Sequence, residues 1–281
     1  MENIEQNEKF LRPEKKEQTF KRAVLIGIDY FGQNGQLAGC LNDIEDMKDY
    51  LKGIGFTQFA VLKDTKSDTA HALANCPTRD NILSVLKRAV ADSNPGDTLY
   101  VHYSGHGTHI DDKNGDEKDG QDECICPVDF DYSKENYGFI IDDELNEILV
   151  KNLKKGVKLR VCFDSCHSGS ALDLPYRWMS SNKFEIENDS TEGKDIIFIS
   201  GCQDDQTSAD SRFNGKAAGA MSFSLLTALW DIKKSGKFSK QWTWEELIQM
   251  MRITLKKERY DQIPQLSMET PDQLQKFVDL I

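Results

Sequence analysis

Apolar runs of strand length alternate along this chain with segments whose apolar positions recur every three or four residues. Ala23-Val24-Leu25-Ile26-Gly27-Ile28 is a continuous apolar run that closes on turn-prone Asp29 and Gly32, the pattern of a strand buried on both faces. From Cys40 onward, Leu41, Ile44, Met47 and Leu51 fall at helical spacing, and Gly53 with Gly55 supplies the stop. Phe59 to Leu62 reads as a second, shorter strand. Thr78, placed before Arg79-Asp80-Asn81-Ile82, opens a helix that carries Leu83, Leu86 and Val90 inward. Pro95-Gly96-Asp97 then turns the chain into a strand from Thr98 to Tyr103 that stops at Ser104-Gly105-His106-Gly107. Beyond a polar loop come Phe139-Ile140-Ile141 and a helix opened by Asp142 and Asp143 that runs through Leu145, Ile148 and Leu149. Val157 to Phe163 and Ile196 to Ile199 are further strands, Met221 to Trp230 and Trp244 to Leu255 amphipathic helices, and Ile263 to Met268 a last edge strand.

Strands alternating with helices predict an α/β fold with a mostly parallel central β-sheet flanked by helices on both faces, and such sheets place their sites beyond the carboxyl ends of the strands. His106 and Cys166 both fall there. Residues 1–20 are polar and charge-rich and read as an N-terminal extension, which leaves 21–281 as one domain.

Charge and cysteine content narrow the partners. Lys plus Arg number 35 against 47 Asp plus Glu, a formal charge of -12, so nucleic acid is not the expected partner, and a cationic substrate or a hard cation suits the surface better. The longest apolar stretch is far short of the roughly 20 residues that span a bilayer, and the N-terminus has neither the basic nor the apolar part of a secretory signal. Seven cysteines, an odd number without disulfide-scaffold spacing, fit reduced thiols and a cytoplasmic protein.

A thiol attacks only as its thiolate, and a nearby imidazole supplies that form near neutrality. Cys166 and His106 lie 60 residues apart and can meet if their strands are neighbours. A lone buried Cys or a lone His in a turn is ordinarily structural. What favours chemistry is the glycine dressing, because Gly105, Gly107 and Gly169 let the backbone approach a substrate, and the N–H groups of Gly107 and Cys166 can form an oxyanion hole. Cys40 and Cys202 are the alternative thiols. Zinc is disfavoured, since Cys124-Ile125-Cys126 and Cys162 with Cys166-His167 lack the paired spacing of structural sites.

Tyr103-Ser104-Gly105-His106-Gly107 and Asp164-Ser165-Cys166-His167-Ser168-Gly169 closely resemble the two catalytic motifs of metacaspases. The resemblance continues through Gly39-Cys40-Leu41-Asn42-Asp43, Gly115-Asp116-Glu117 to Cys126-Pro127-Val128-Asp129, Ile141-Asp142-Asp143, Ser200-Gly201-Cys202 and Gly219-Ala220-Met221-Ser222. It implies a caspase-like fold with a p20-like part at about 21–175, a connecting loop at about 176–194 and a p10-like part at about 195–281. With no long insertion after Cys166, the chain resembles type I members, a short polar tail standing where many carry a Pro/Gln-rich prodomain.

The resemblance further implies a His106–Cys166 dyad and cleavage after Arg or Lys. Asp43, Ser104 and Asp164 match the acidic S1 pocket, the pocket that takes the residue before the scissile bond; carboxylates there suit a guanidinium. The bland alternatives are a helix N-terminal acid for Asp43 and a turn-capping acid for Asp164. Activating Ca²⁺ is implied at Asp122, Asp142, Asp143 and Asp173, with Asp119 a rival for the first position. The acidic run from Asp111 to Glu123 offers hard oxygen ligands but is not an EF-hand, since Glu117 stands where that loop needs glycine. Self-cleavage is expected in Tyr176 to Lys194, which holds Arg177, Lys183 and Lys194. Basic peptides are the expected partners of a monomer. A catalytically weak adaptor that handles protein aggregates, and an Asp- or Asn-directed peptidase of the same fold, are the alternative readings.

Overall fold

The first apolar run forms β1 (Lys21–Gly27). Val24 and Ile26 enter one apolar cluster, while Ala23 and Leu25 enter another on the opposite face, because successive side chains of a strand point to opposite sides. Both sides are covered, so the run needs no polar alternation. The structure is a computed structural model that describes residues 18–66, 74–112, 120–166, 171–179, 183–186, 192–201, 211–213, 216–234 and 242–280.

After β1 come α1 (Cys40–Lys52), β2 (Gln58–Lys63), α2 (Arg79–Ala91), β3 (Thr98–Ser104), β4 (Gly107–Asp111), β5 (Gln121–Ile125), β6 (Ile140–Ile141) and the short α3 (Asp142–Asn146). They are followed by β7 (Lys158–Asp164), β8 (Tyr176–Trp178), β9 (Phe184–Ile186), β10 (Asp195–Ser200), β11 (Ser211–Phe213), β12 (Lys216–Ala218), α4 (Ala220–Lys234), α5 (Trp244–Lys257) and β13 (Gln265–Met268). Among the described residues the main sheet has eight strands, in the order β2-β1-β3-β7-β10-β13-β8-β9. The five strands from β2 to β10 are parallel, and the three beyond them pair antiparallel. Helices α2 and α3 pack on one face, and α1, α4 and α5 on the other.

The expected helices and long strands are present with shifted ends, and Thr78 caps α2 as expected, its hydroxyl accepting from Asn81 N–H. Four features differ. Ile263 to Met268 was expected at an edge, yet β13 lies inside the sheet between β10 and β8, and all four of its residues are buried. The polar loop after His106 contains β4 and β5, which with β6 form a separate three-stranded sheet. The segment expected to be a connecting loop carries β8 and β9, each of three residues, too short for a readable alternation. The helix opened by Asp142 is α-helical only to Asn146, then widens into a π-turn from Glu147 to Lys151 that still buries Ile148 and Leu149.

The C-terminal segment is fastened through a buried cation. Arg160 of β7 is 4% exposed, binds Asp279 through Nε and Nη2 at 2.8 Å each, pairs with Asp195 at 2.9 Å and lies 5.4 Å from the Trp244 ring. Removing one member of such a set strands the rest. Arg160→Ala is therefore expected to lower unfolding free energy by about 3–5 kcal/mol, read from urea melts, and Arg160→Lys to recover only part, because an ammonium lacks the two-pronged fit.

Candidate active site

Parallel pairing of β3 with β7 places Tyr103 opposite Phe163 and Ser104 opposite Asp164, and Gly105 N–H continues the pairing to Asp164 O at 3.3 Å. The two motifs therefore leave the sheet side by side. The backbone of Gly107 lies against that of Cys166: a Cβ at position 107 would collide with the Cys166 carbonyl. Glycine is required there by contact, and the two N–H bearing residues expected to serve an oxyanion are brought together.

His106 is fixed from three sides. Its N–H donates to Tyr30 Oη at 2.9 Å, its carbonyl accepts from Tyr103 Oη at 2.7 Å and from Cys126 N–H at 3.2 Å, and its ring lies 4.6 Å from the Tyr30 ring. Nε2 is 2.6 Å from the Gly35 carbonyl. A carbonyl only accepts, so Nε2 carries the proton and Nδ1 is the basic nitrogen. Tyr30 holds this arrangement from a strained position, φ 52°, an unusual conformation for an aromatic residue, and its own hydroxyl donates to Cys126 O at 2.6 Å.

Among the described residues Cys166 is the one cysteine that is not buried. Burial pushes the Cys126 thiol up to about 12, with Cys166 adding to the effect, and pushes Cys76 up to about 11. Cys40, Cys124 and Cys162 are raised by burial and by neighbouring acids. All five stay as inert thiols at neutral pH. Cys202, like His167, Ser168 and Gly169, lies outside the described residues.

Beneath this pair, Asp43 of α1 and Asp164 of β7 meet, 2% and 6% exposed. Ser104 Oγ donates to Asp43 at 2.7 Å, Gly219 N–H donates to both Asp43 oxygens at 3.0 Å, and Ser222 N–H donates to Asp164 at 2.7 Å. Gly219 and Ser222 are at the N-terminus of α4, where N–H groups and the helix dipole favour anions. A Cβ at 219 would collide with the Asp164 carboxylate. Burial, and then mutual repulsion, raise Asp43 well above the ordinary carboxylate range against the donors from Ser104 and Gly219; burial raises Asp164 as well. Among the described residues, neither acid is in an ion pair.

The aspartates expected to bind calcium are only partly gathered. Asp122 of β5 and Asp142 of α3 are both buried. Asp142 accepts from Glu123 N–H at 2.6 Å and from Asp143 N–H at 2.8 Å. Asn146 donates to Leu172 O at 2.8 Å, which draws the segment holding Asp173 (φ 46°) toward α3. The donors suit a hard cation, but among the described residues no three His, Cys, Asp or Glu side chains are placed to hold a metal ion. Asp119, Asp116 and Glu117 lie outside the described residues.

Sequence reasoning did not single out Tyr30 or Gly35, and it met Ser222 only within the Gly219-Ala220-Met221-Ser222 match, without a role. The first two sit in a turn whose only visible signal was Asp29 and Gly32.

A model of the metacaspase, peptidase C14 domain matches residues 21–175. The chain is 35% identical, over 90% of its length, to Metacaspase-1 of Meyerozyma guilliermondii, of which it covers 70%. It is 36% identical, over 89% of its length, to Metacaspase-1 of Ajellomyces capsulatus, of which it covers 80%. A crystal structure of protein GSU0716 from Geobacter sulfurreducens is similar in fold, with a TM-score of 0.59 and 26% identity over 92% of this chain and 97% of that one.

The contact at Gly107 yields a test. Gly107→Ala must displace the Cys166 backbone, and a shift near 1 Å in a site of this kind costs on the order of 10²-fold in rate. Peptidase turnover is expected to fall by about that factor, while the melting temperature changes by only a few degrees.

Proposed function

The chain belongs to the metacaspase family of cysteine peptidases, and on that premise we propose that it is a calcium-activated endopeptidase that cleaves after Arg or Lys. The observation that carries the specificity is the buried Asp43–Asp164 pair. Two acids held in low dielectric with raised pKa and no cationic partner among the described residues form a site that a guanidinium or ammonium would complete. Asn- or Asp-directed cleavage would set a neutral amide or a third carboxylate against them, and no observation favours the adaptor reading.

In the proposed reaction Cys166, as thiolate, attacks the carbonyl that follows the basic side chain. His106 takes the thiol proton at Nδ1 and returns it to the leaving amine, its other nitrogen being tied to the Gly35 carbonyl. The backbone of Gly107 and Cys166 stabilises the oxyanion, and water then resolves the thioester. Calcium, held by Asp122, Asp142, Asp143 and Asp173, would supply charge that draws their loops together; the chemistry itself stays with the chain's own residues.

The decisive experiment compares fluorogenic peptides ending in Arg, Lys, Asp or Asn, with Ca²⁺ or chelator, for the wild type and Cys166→Ala. Arg and Lys peptides should be cut only by the wild type and faster with Ca²⁺; equal cleavage after Asp or Asn would overturn the specificity. Asp43→Asn should lower kcat/KM for Arg peptides by about 10²-fold or more, the order expected when a buried charge loses its partner. The pH dependence has a definite sign. Because both acids are raised, protons return to the pair at a pH above the ordinary carboxylate range, and the protonated pair cannot hold a cation. The inhibition constant of agmatine should thus rise as pH falls toward the ordinary carboxylate range, before that range is reached, and level off at higher pH.

Self-cleavage is proposed after Lys183. Its side chain is exposed immediately before β9. Lys194 is 5% exposed with Nζ donating to Val150 O and Lys151 O at 2.6 and 2.9 Å, and Arg177 lies within β8, paired to Glu185. A protease needs an accessible, extensible segment. Mass spectrometry after incubation with Ca²⁺ should find the cut after Lys183; fragments ending at Lys194 from folded protein would contradict it.

A further inference from the structure

Asp64 stands just past the end of β2, 3% exposed, and no catalytic step uses it. Its two carboxylate oxygens accept from one turn of the backbone, Oδ1 from Asp29 N–H at 2.9 Å and Oδ2 from Phe31 N–H at 3.2 Å. Between those two donors lies Tyr30, the residue in the left-handed region at φ 52°. Backbone N–H groups that converge around such a turn make a concavity suited to an anion. Asp64 fills it, so the carboxylate and the strained residue hold one another in place.

The same turn carries both contacts that orient His106. Tyr30 Oη accepts from His106 N–H at 2.9 Å, and the Gly35 carbonyl is 2.6 Å from His106 Nε2. The approach is close: a Cβ at Gly35 would stand 3.3 Å from Nε2. The turn is closed on itself, Leu37 N–H donating to Asp29 O at 2.7 Å and Gln33 N–H to Tyr30 O at 3.0 Å. It is tied outward by Asp29 Oδ1, which accepts from Cys40 N–H at 3.0 Å, and by Gln33 Nε2, which donates to Val128 O at 2.8 Å. The pair of bonds from Asp64 grips it at Tyr30 itself. A left-handed conformation persists in an aromatic residue only where its surroundings impose it. Without the carboxylate, Tyr30 relaxes toward negative φ, and its hydroxyl and the Gly35 carbonyl move off His106.

We propose that Asp64 is a positioning residue for the general base: by binding the N–H groups on either side of Tyr30 it locks that residue in its left-handed conformation and keeps the Tyr30 hydroxyl and the Gly35 carbonyl on His106. The inference rests on the reading of His106 as the base of the peptidase. It extends the machinery to the far side of the sheet, since β1 separates β2 from β3 and Asp64 acts through the turn. With Nε2 released the imidazole is free to rotate, Nδ1 no longer faces the thiol, and Cys166 ionises more like an isolated cysteine.

The test reads the thiol as well as the rate. Alkylation of Cys166 by iodoacetamide across a pH series, quantified by mass spectrometry of its peptide, reports the thiolate, and turnover is followed on the fluorogenic peptide that the wild type cuts fastest. Asp64→Ala should lower kcat about 10²-fold, the order of a misplacement near 1 Å, with KM within about twofold of wild type. It should also move the alkylation midpoint to higher pH, toward that of a free thiol. Asp64→Asn, which keeps the shape and one acceptor oxygen, should lower kcat about tenfold and move the midpoint less, in the same direction. Should Asp64→Ala fail to fold, Asp64→Asn decides alone. A role confined to stability would lower the melting temperature and leave the alkylation midpoint in place, and that result overturns the inference while His106→Ala still abolishes turnover. Wild-type turnover in His106→Ala overturns the inference together with the reading beneath it.

Discussion

The pairing of β3 with β7 is the constraint on which the site hangs. Each strand is buried on both faces, and their register, Ser104 against Asp164, is fixed because a slip of one residue would exchange every inward side chain between the two faces. Tyr100, His102 and Ser104 face α1 and α4, as do Cys162 and Asp164, while Leu99, Val101, Tyr103, Val161 and Phe163 face α2. One alternation therefore delivers polar groups to the acid site on one side and hydrocarbon to the core on the other. It also makes the two motif loops leave the sheet at the same height, so that Gly107 and Cys166 touch although 58 residues lie between them.

Burying Asp43 and Asp164 together is costly, and the fold offsets the cost with donors rather than with a cation. Ser104, Gly219 and Ser222 supply hydrogen bonds, and the N-terminus of α4 points its N–H groups at both acids. An Arg or Lys of the chain would stabilise the pair more, and would also fill the place proposed for a substrate's cationic side chain. On that proposal, donors in place of a cation leave the pair receptive, a balance in which stability gives way to binding.

The long apolar runs and capped helices were legible because burial on both faces and helical spacing are local signals. The β8–β9 hairpin and β4 with β5 were not, since strands of three to five residues with mixed exposure carry too little periodicity. That β13 is interior also lay beyond the sequence, because its covering strand is β8, some ninety residues earlier. In the site, the residues dressed with glycine and serine stood out as motifs. Tyr30 and Gly35 did not, because their roles depend on a turn folding back over His106.

The acid pair has a second effect on the same chemistry. Cys40 and Cys162 flank it, and after burial the main cause of their raised pKa is the negative charge of Asp43 and Asp164. A field that would draw a cationic side chain in thus also holds the nearest competing thiols in their protonated, unreactive form. Cys166 lies two residues beyond Asp164, past the end of the strand and partly exposed. Position along one strand thus separates the two thiols: two residues before the acid Cys162 is buried and held protonated, and two residues after it the proposed nucleophile Cys166 comes out of the core.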